Sequence, residues 1–456
     1  MKLIGLDIGT TSICGVVLDT EIGNVVLRTT HANRSGVRCT DDFAHLQDPS
    51  EILNSIETVL DTLLSEHPDT AAIGISSQMH GILYINGSGE HVSPLYTWQD
   101  ARGDKILSGS QSYCDAFQEQ TGYAISAGYG MVTHFYNLIN HLVPAEAVSF
   151  CTIGDYVAMN LAGSSEPITE PTLASSLGSF DIEEGCFDTA ALRNLFITSD
   201  FLPRIASSGT PLGKFRGTIT VFNAIGDNQA SYLGAVRSKQ DSLLINIGTG
   251  AQLSVMTNTM CTVPHWETRP AVGEGYLLVG ATPNGGNAYV LIEGFFRRVL
   301  DVFNASLQGS LFDKMNAVLQ NVYEKDNQLK VSTQFYGARD NPQKRGAIQN
   351  ITPENFTPVD LMVGTLSGVV DELVSFYEDL PVELRSKVRH VVGSGNGIRK
   401  NNYLKSLLER KFSTTLEIAT CDEEAAFGAA LYAAGASSVF SSSADLLKCI
   451  RYEGDI

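Results

Sequence analysis

Asp7-Ile8-Gly9-Thr10-Thr11-Ser12, between the apolar runs Lys2–Ile8 and Ser12–Asp19, and Ile247-Gly248-Thr249-Gly250, between Ser242–Ile247 and 251–256, read as two copies of one turn. Each joins two alternating strands by a tight connection of glycine and hydroxyl residues. Working outward from the first copy, residues 21–24 turn the chain into a third strand at 25–30. Asp48-Pro49-Ser50-Glu51 then supplies an N-cap, a first-turn proline and an acid three residues on. Ile52, Ile56, Val59, Leu60, Leu63 and Leu64 follow at helical spacing, and 71–76 reads as another strand. The order is β-β-β-α-β. From the second copy outward come a strand at 275–281, helices at 288–303 and 358–377, a strand at 388–392, the helix Asn402–Phe412 and a last helix at 423–434. A repeated order of this kind predicts two similar α/β lobes with a cleft between them, divided near residues 238–240 into segments 1–238 and 239–456.

Size and composition fit that division. One core rarely grows beyond about 250 to 300 residues, so a chain of 456 needs at least two. Hydrophobic residues make up 43% and charged residues 18%, which is the balance of a globular protein. With 31 Lys plus Arg against 50 Asp plus Glu, the formal charge is −19, and no extended basic cluster exists to hold a nucleic acid. No run of 18 apolar residues occurs, so neither a membrane span nor a secretory signal is expected. Eight scattered cysteines without a C-x-x-C pair or partner histidines at metal spacing read as reduced thiols of a cytoplasmic protein.

The chemistry concentrates at the turns. An acid, a glycine and three hydroxyls in one hairpin can direct N–H and O–H groups at phosphate oxygens while Asp7 holds a hydrated divalent cation. A single such turn is as well read as an ordinary hairpin; the second turn converts the pair into a polyphosphate clamp. The apolar run 219–225 leads into Gly226-Asp227-Asn228-Gln229, where a carboxylate at the mouth of the cleft suits a base for a sugar hydroxyl. An Asp between strand and helix is most often an N-cap, and that reading stands beside the first. Gly393-Ser394-Gly395-Asn396-Gly397 lets a flat ring or a phosphate approach the backbone. It lacks the dinucleotide spacing G-x-G-x-x-G, and Gly209–Lys214 fails the Walker pattern because Phe215 stands where Ser or Thr is required. Ser76-Ser77-Gln78-Met79-His80-Gly81 and Thr97-Trp98-Gln99-Asp100-Ala101-Arg102 supply the polar and aromatic groups that suit a polyol. His80 alone reads as well as a satisfied structural histidine, and Trp98 as core.

Taken together and in order, DIGTTS at 7–12, SSQMHG at 76–81, TWQDAR at 97–102, GDNQAS at 226–231, INIGTGAQL at 245–253 and EEAAFGAAL at 423–431 resemble the FGGY carbohydrate kinases over nearly the whole chain. Within that family the chain is most similar to the sedoheptulokinase branch, through QMHG, TWQD, GDYVAMNL, PNGGN and the stretch with His134, where xylulokinases usually carry Lys. The resemblance implies a duplicated actin-like, ribonuclease-H-like α/β fold, with ATP and Mg2+ between the lobes and a sugar mainly in the first. By that likeness Asp227 is the base and Asp7 lies near the metal. Thr10, Thr11, Ser12, Gly248 and Thr249 cradle phosphates, and Gly286, Gly395, Asn396 and Asn401 line the nucleotide pocket. Gln78, Met79, His80, Trp98, Asp100 and Asn228 meet the sugar. The implied partners are a small sugar and ATP, with no nucleic acid and no membrane, and a homodimer is left open. Xylulose or another polyol as acceptor, an actin-like ATPase without an acceptor, and a sugar-binding regulator are the competing readings.

Overall fold

The computed structural model describes residues 1–320, 322, 328–338, 341, 343–440 and 442–455. They form two compact units, one of Met1–Arg237, Arg269–Gly275 and Glu423–Ile450, the other of Ser238–Thr268, Tyr276–Asp422 and Arg451–Ile456.

In the first unit the sheet runs Pro211–Phe215, Ile219–Phe222, Thr70–Ser77, Lys2–Ile8, Ser12–Asp19, Asn24–Ala32, in spatial order. The first three strands of the chain form an antiparallel meander, and Thr70–Ser77 joins Lys2–Ile8 in parallel with Asp7 opposite Ser76. A parallel neighbour needs a crossover, here the helix Pro49–Glu66. Asp48 caps it by accepting from the Ser50 N–H at 2.8 Å. Its stripe of Ile52, Ile56, Val59, Leu60 and Leu63 is fully buried, each worth about 1.5 to 3 kcal/mol as an upper estimate. The run expected as one strand over 219–225 breaks into Ile219–Phe222 and Ile225–Gly226, both parallel to Thr70–Ser77. Between them Asn223 turns its amide oxygen to the Thr210 N–H and the Tyr432 hydroxyl, so a side chain takes over where the ladder stops.

In the second unit the order is Trp266–Pro270, Tyr276–Thr282, Ala251–Thr257, Ser242–Ile247, His390–Ser394, Leu416–Ile418. The last five strands repeat the pattern of the first sheet: three antiparallel strands, then two in parallel beside the first of them in the chain. This is the ribonuclease-H-like order, present twice.

One expectation needs correction. The last helix, Glu424–Ala436, belongs to the first unit, so the segment 239–456 is not a single lobe. The reason is steric. This helix is almost wholly Ala and Gly and is buried on most sides. Gly5 and Gly74 on the first sheet leave room for it: a Cβ on Gly5 would overlap the Ala426 carbonyl oxygen, and one on Gly74 the Ala429 oxygen. Gly234, on the helix Asp227–Ala235, meets the Glu424 oxygen in the same way. The chain also re-enters the first unit over Arg269–Gly275.

Candidate active site

Three parallel strands of the first unit end side by side, and in such sheets ligands bind beyond the carboxyl ends of the strands. Lys2–Ile8 delivers Asp7 and the turn, Thr70–Ser77 delivers Gln78, Met79 and His80, and Ile225–Gly226 delivers Asp227.

Asp227 is the first residue of the helix Asp227–Ala235; Gly226 occupies the cap position and no side-chain cap hydrogen bond is made. The capping reading of Asp227 is therefore not what the structure adopts. Burial holds the Asp227 carboxyl above the usual carboxylate range, opposed by the Asn228 amide and by the charge of Arg269. Asn228 donates to Asp227 Oδ1 at 2.9 Å. Its own Oδ1 is buried with no hydrogen-bond partner among the described residues, an acceptor that a substrate hydroxyl can satisfy. The Met79 sulfur accepts from Asn228 at 3.7 Å and from Arg269 Nη1 at 3.8 Å. His80 has a positive φ of 74° and is fixed at both ends: its N–H donates to Ser176 Oγ and its Nδ1 meets the Ser176 carbonyl at 2.8 Å. That bond assigns the proton to Nδ1, and Tyr129 stacks on the ring at 4.2 Å.

The turn and the polyol cluster share one hydrogen-bond chain. Trp98 Nε1 donates to Thr10 Oγ1 at 2.9 Å, Thr10 donates to Gln78 Oε1 at 3.0 Å, and Gln78 donates to Gln47 Oε1 at 2.8 Å. Gln47 closes the loop on the Thr10 carbonyl at 2.8 Å. Thr10 thus ties the turn after Lys2–Ile8 to Gln78, Gln47 and Trp98. The Trp98 residue is 47% exposed, so it is a surface available for stacking and not core. Within the turn, Gly9 donates to the Ser12 carbonyl at 2.9 Å, which leaves Thr11 exposed.

Two residues singled out by sequence do other work. Asp100 is fully buried and spends both oxygens on Arg102, at 2.6 and 3.1 Å, and on the His45 N–H. Arg102 continues to Asn137 and lies over the Tyr96 ring at 4.1 Å. Asp100 supports the fold behind the cluster. His134 is 2% exposed, bonded to the Tyr84 hydroxyl, and stacked on Phe201; burial pushes its pKa down to about 3. It is a neutral core histidine.

In the second unit the Gly248–Gly250 turn abuts the start of the helix Gly286–Val302, where Gly286 N–H donates to the Gly248 carbonyl and Asn287 N–H to that of Thr249, both at 2.9 Å. A Cβ on Gly286 would overlap the Gly248 oxygen, so glycine there serves the turn itself. Gly395 has φ 86°, and a Cβ would stand 2.6 Å from the Ile247 carbonyl oxygen. Its glycine is demanded by the backbone. Asn401 is consumed as a cap, accepting from Leu404 N–H at 3.0 Å, with its amide turned to Asn316. Asn396 and Thr249 are exposed.

The donors fit the groups a kinase requires. Burial and the nearby charges of Asp227 and Glu423 push the Asp7 carboxyl up to about 7, a concentration of negative charge that a divalent cation would relieve. Among the described residues no set of three or more His, Cys, Asp or Glu side chains forms a metal cage. One carboxylate is what Mg2+ needs when phosphates and waters complete its shell.

Sequence reasoning passed over Gln47, Arg269, Ser176 and Glu170. Arg269 had one signal, a lone cation beside proline in a strand; Gln47 and Ser176 had none.

A duplicated sheet of this order, with a Gly-Thr turn in each unit and a carboxylate at a strand end, is the framework of an ATP-dependent sugar kinase. Residues 2–234 match the N-terminal domain of the FGGY family of carbohydrate kinases, and the chain belongs to that family. It is 26% identical to a sedoheptulokinase from Homo sapiens, over 94% of this chain and 96% of that one. It is 22% identical to a xylulose kinase from Staphylococcus xylosus, over 95% and 90%. Among solved structures, a ligand-bound xylulose kinase from Lactobacillus acidophilus superposes with a TM-score of 0.85 at 18% identity, covering 99% of this chain and 92% of that one. No described helix is long and apolar enough to cross a membrane.

Proposed function

We propose that the protein transfers the γ-phosphoryl group of ATP to a terminal hydroxyl of a ketose, with sedoheptulose as the first-ranked acceptor, and that Asp227 is the base. The observation that carries this reading is the Asp227 site: a carboxylate at a strand end, uncommitted to capping, with Met79, His80 and the open Asn228 acceptor around it. Asp227 takes the hydroxyl proton as the bond to phosphorus forms. Asn228 and Gln78 orient hydroxyls, and Trp98 offers its face to C–H groups. The Thr11 and Ser12 end of the first turn and the Gly248–Thr249 backbone of the second bind phosphate oxygens. Mg2+ held near Asp7 would neutralise phosphate charge, which matters because phosphoryl transfer depends mainly on positioning and charge. Asn396, exposed beside Gly395, is a nucleotide contact in this reading. Cysteines scattered along the chain without a C-x-x-C pair support a cytoplasmic setting.

The likeness to sedoheptulokinases supports the seven-carbon acceptor. A panel of sedoheptulose, xylulose, ribulose, gluconate and glycerol, read as ATP-dependent kcat/KM, decides the rank. A tenfold preference for xylulose reverses the acceptor but leaves the kinase. ATP turnover indifferent to every acceptor points to a conformational ATPase.

A further inference from the structure

Glu170 is a fully buried carboxylate outside the cluster described above. It caps the short helix Pro171–Ser176, and a cap needs one oxygen. Glu170 uses both. Oε2 accepts from the Thr172 N–H at 2.7 Å and from the Thr172 hydroxyl; Oε1 accepts from the Ser208 hydroxyl, 38 residues away. Each hydroxyl then accepts in turn. Thr172 Oγ1 takes the N–H of Gly226, the residue before Asp227, at 2.9 Å, and Ser208 Oγ takes the N–H of Gly273 at 3.1 Å. Gly273 lies in the excursion Arg269–Gly275 that brings Arg269 against Met79, and Gln229 pins the same excursion by donating to the Pro270 carbonyl at 3.1 Å. The far end of the capped helix is Ser176, which holds His80 by two bonds.

We propose that Glu170 is a positioning residue for phosphoryl transfer, fixing Asp227 through Thr172 and Gly226, Arg269 through Ser208 and Gly273, and His80 through the helix 171–176. The proposal rests on the reading of Asp227 as base. A hydroxyl that donates to a carboxylate becomes a better acceptor, so both backbone N–H bonds are strengthened when Glu170, whose pKa burial raises to about 7, is ionised. A neutral amide at 170 keeps one acceptor oxygen and presents an N–H₂ to the other hydroxyl, which must then accept where it now donates, so one of the two relays loses its polarisation and its geometry. Asp227 and the Arg269 segment would then drift by fractions of an ångström, enough to lower kcat strongly in a reaction governed by alignment.

Glu170→Gln, Thr172→Val and Thr172→Ser are compared with Asp227→Asn, using the ketose that the panel ranks first and thermal melting as a fold control. We expect Glu170→Gln and Thr172→Val to lower kcat by about 10- to 100-fold with the KM for ATP within about twofold, and Thr172→Ser to restore activity to within about threefold. In the Asp227→Asn background Glu170→Gln should add less than about threefold, because it acts through the missing group. Wild-type kcat in folded Thr172→Val, or full additivity in the double variant, overturns the positioning role while an inactive Asp227→Asn keeps the base. An active Asp227→Asn overturns the base itself. If Glu170→Gln fails to fold, the Thr172 pair decides.

Discussion

Exchanging Asp227 for Asn changes one atom in a place where the surroundings can tolerate it. The Asn228 amide still finds an acceptor at the position of Oδ1, where it now donates at 2.9 Å. Asp227 is not the cap residue, so the fold loses a first-turn charge, about 0.3 to 1 kcal/mol, together with its attraction to Arg269. Relief of a carboxylate that burial holds above its ordinary pKa offsets that loss, and the melting temperature should move by a few degrees at most. Catalysis is another matter. A lost general base costs about 10²- to 10⁴-fold in kcat, or about 3 to 5 kcal/mol in the barrier. Initial rates of ADP release with sugar and ATP varied separately should show that drop, with the KM for sugar within about threefold. The wild-type rate should also fall on acidification at a pH above the ordinary carboxylate range, because a raised pKa protonates the base early; the variant should lack that limb. A variant that keeps more than half of the wild-type kcat at unchanged melting temperature would refute the assignment of Asp227.

Asn396→Ala should raise the KM for ATP several-fold with no change in melting temperature, because the side chain is exposed, whereas Gly395→Ala should cost about 1 to 3 kcal/mol of stability through its positive φ and the Ile247 backbone. An unchanged KM for ATP in Asn396→Ala would remove this turn from the nucleotide site. His134→Leu should lower stability by about 1 to 3 kcal/mol, since the Tyr84 hydroxyl loses the imidazole and keeps only the Asn137 amide, and leave the ratio of kcat/KM for sedoheptulose and xylulose within about twofold; a tenfold change in that ratio would place the residue at the acceptor site. For Asp7, raised from 3.8 to about 7, the folded state holds its proton more tightly than the unfolded chain, so stability falls as pH rises between those values and levels off above. With divalent ions chelated, Asp7→Asn should remove that decline, whose upper bound is about 4 kcal/mol; melting curves of the two proteins from pH 4 to 8 that stay parallel would contradict it.

What the sequence revealed and what it hid follow from the reach of the interactions involved. The two meanders, the helix after Asp48 and both Gly-Thr turns are set by periodicity and turn chemistry within some twenty residues, and they are legible. The strand-end placement of Asp227 and Gln78 follows from the same reading. Asp100 is held by Arg102, two residues on, and by the His45 N–H, 55 residues away, and His134 by the Tyr84 hydroxyl, 50 residues away, so most of their setting is long-range. Asn401 looked like a pocket residue, although an Asn before a helical run is a local capping signal that could have been weighed. The Glu170 relay had no signal beyond Glu-Pro, since its meaning lies in Ser208, Gly226 and Gly273.

The helix Glu424–Ala436 sets the order in which the molecule can be made. Its seat is formed by Gly5, Gly74 and Gly234, yet it leaves the ribosome some two hundred residues after the last of them. At about 5 to 20 residues per second the nascent first sheet waits roughly 10 to 40 s with one apolar face uncovered. Contacts spanning more than four hundred residues, as between Gly5 and Ala426, also place the chain at the slow, non-local end of folding rates. Residues 1–237 therefore do not make an autonomous fragment. Expressed alone they should be aggregation-prone until a separate segment carrying 423–450 is supplied, and during synthesis the uncovered face is where a chaperone would be needed most.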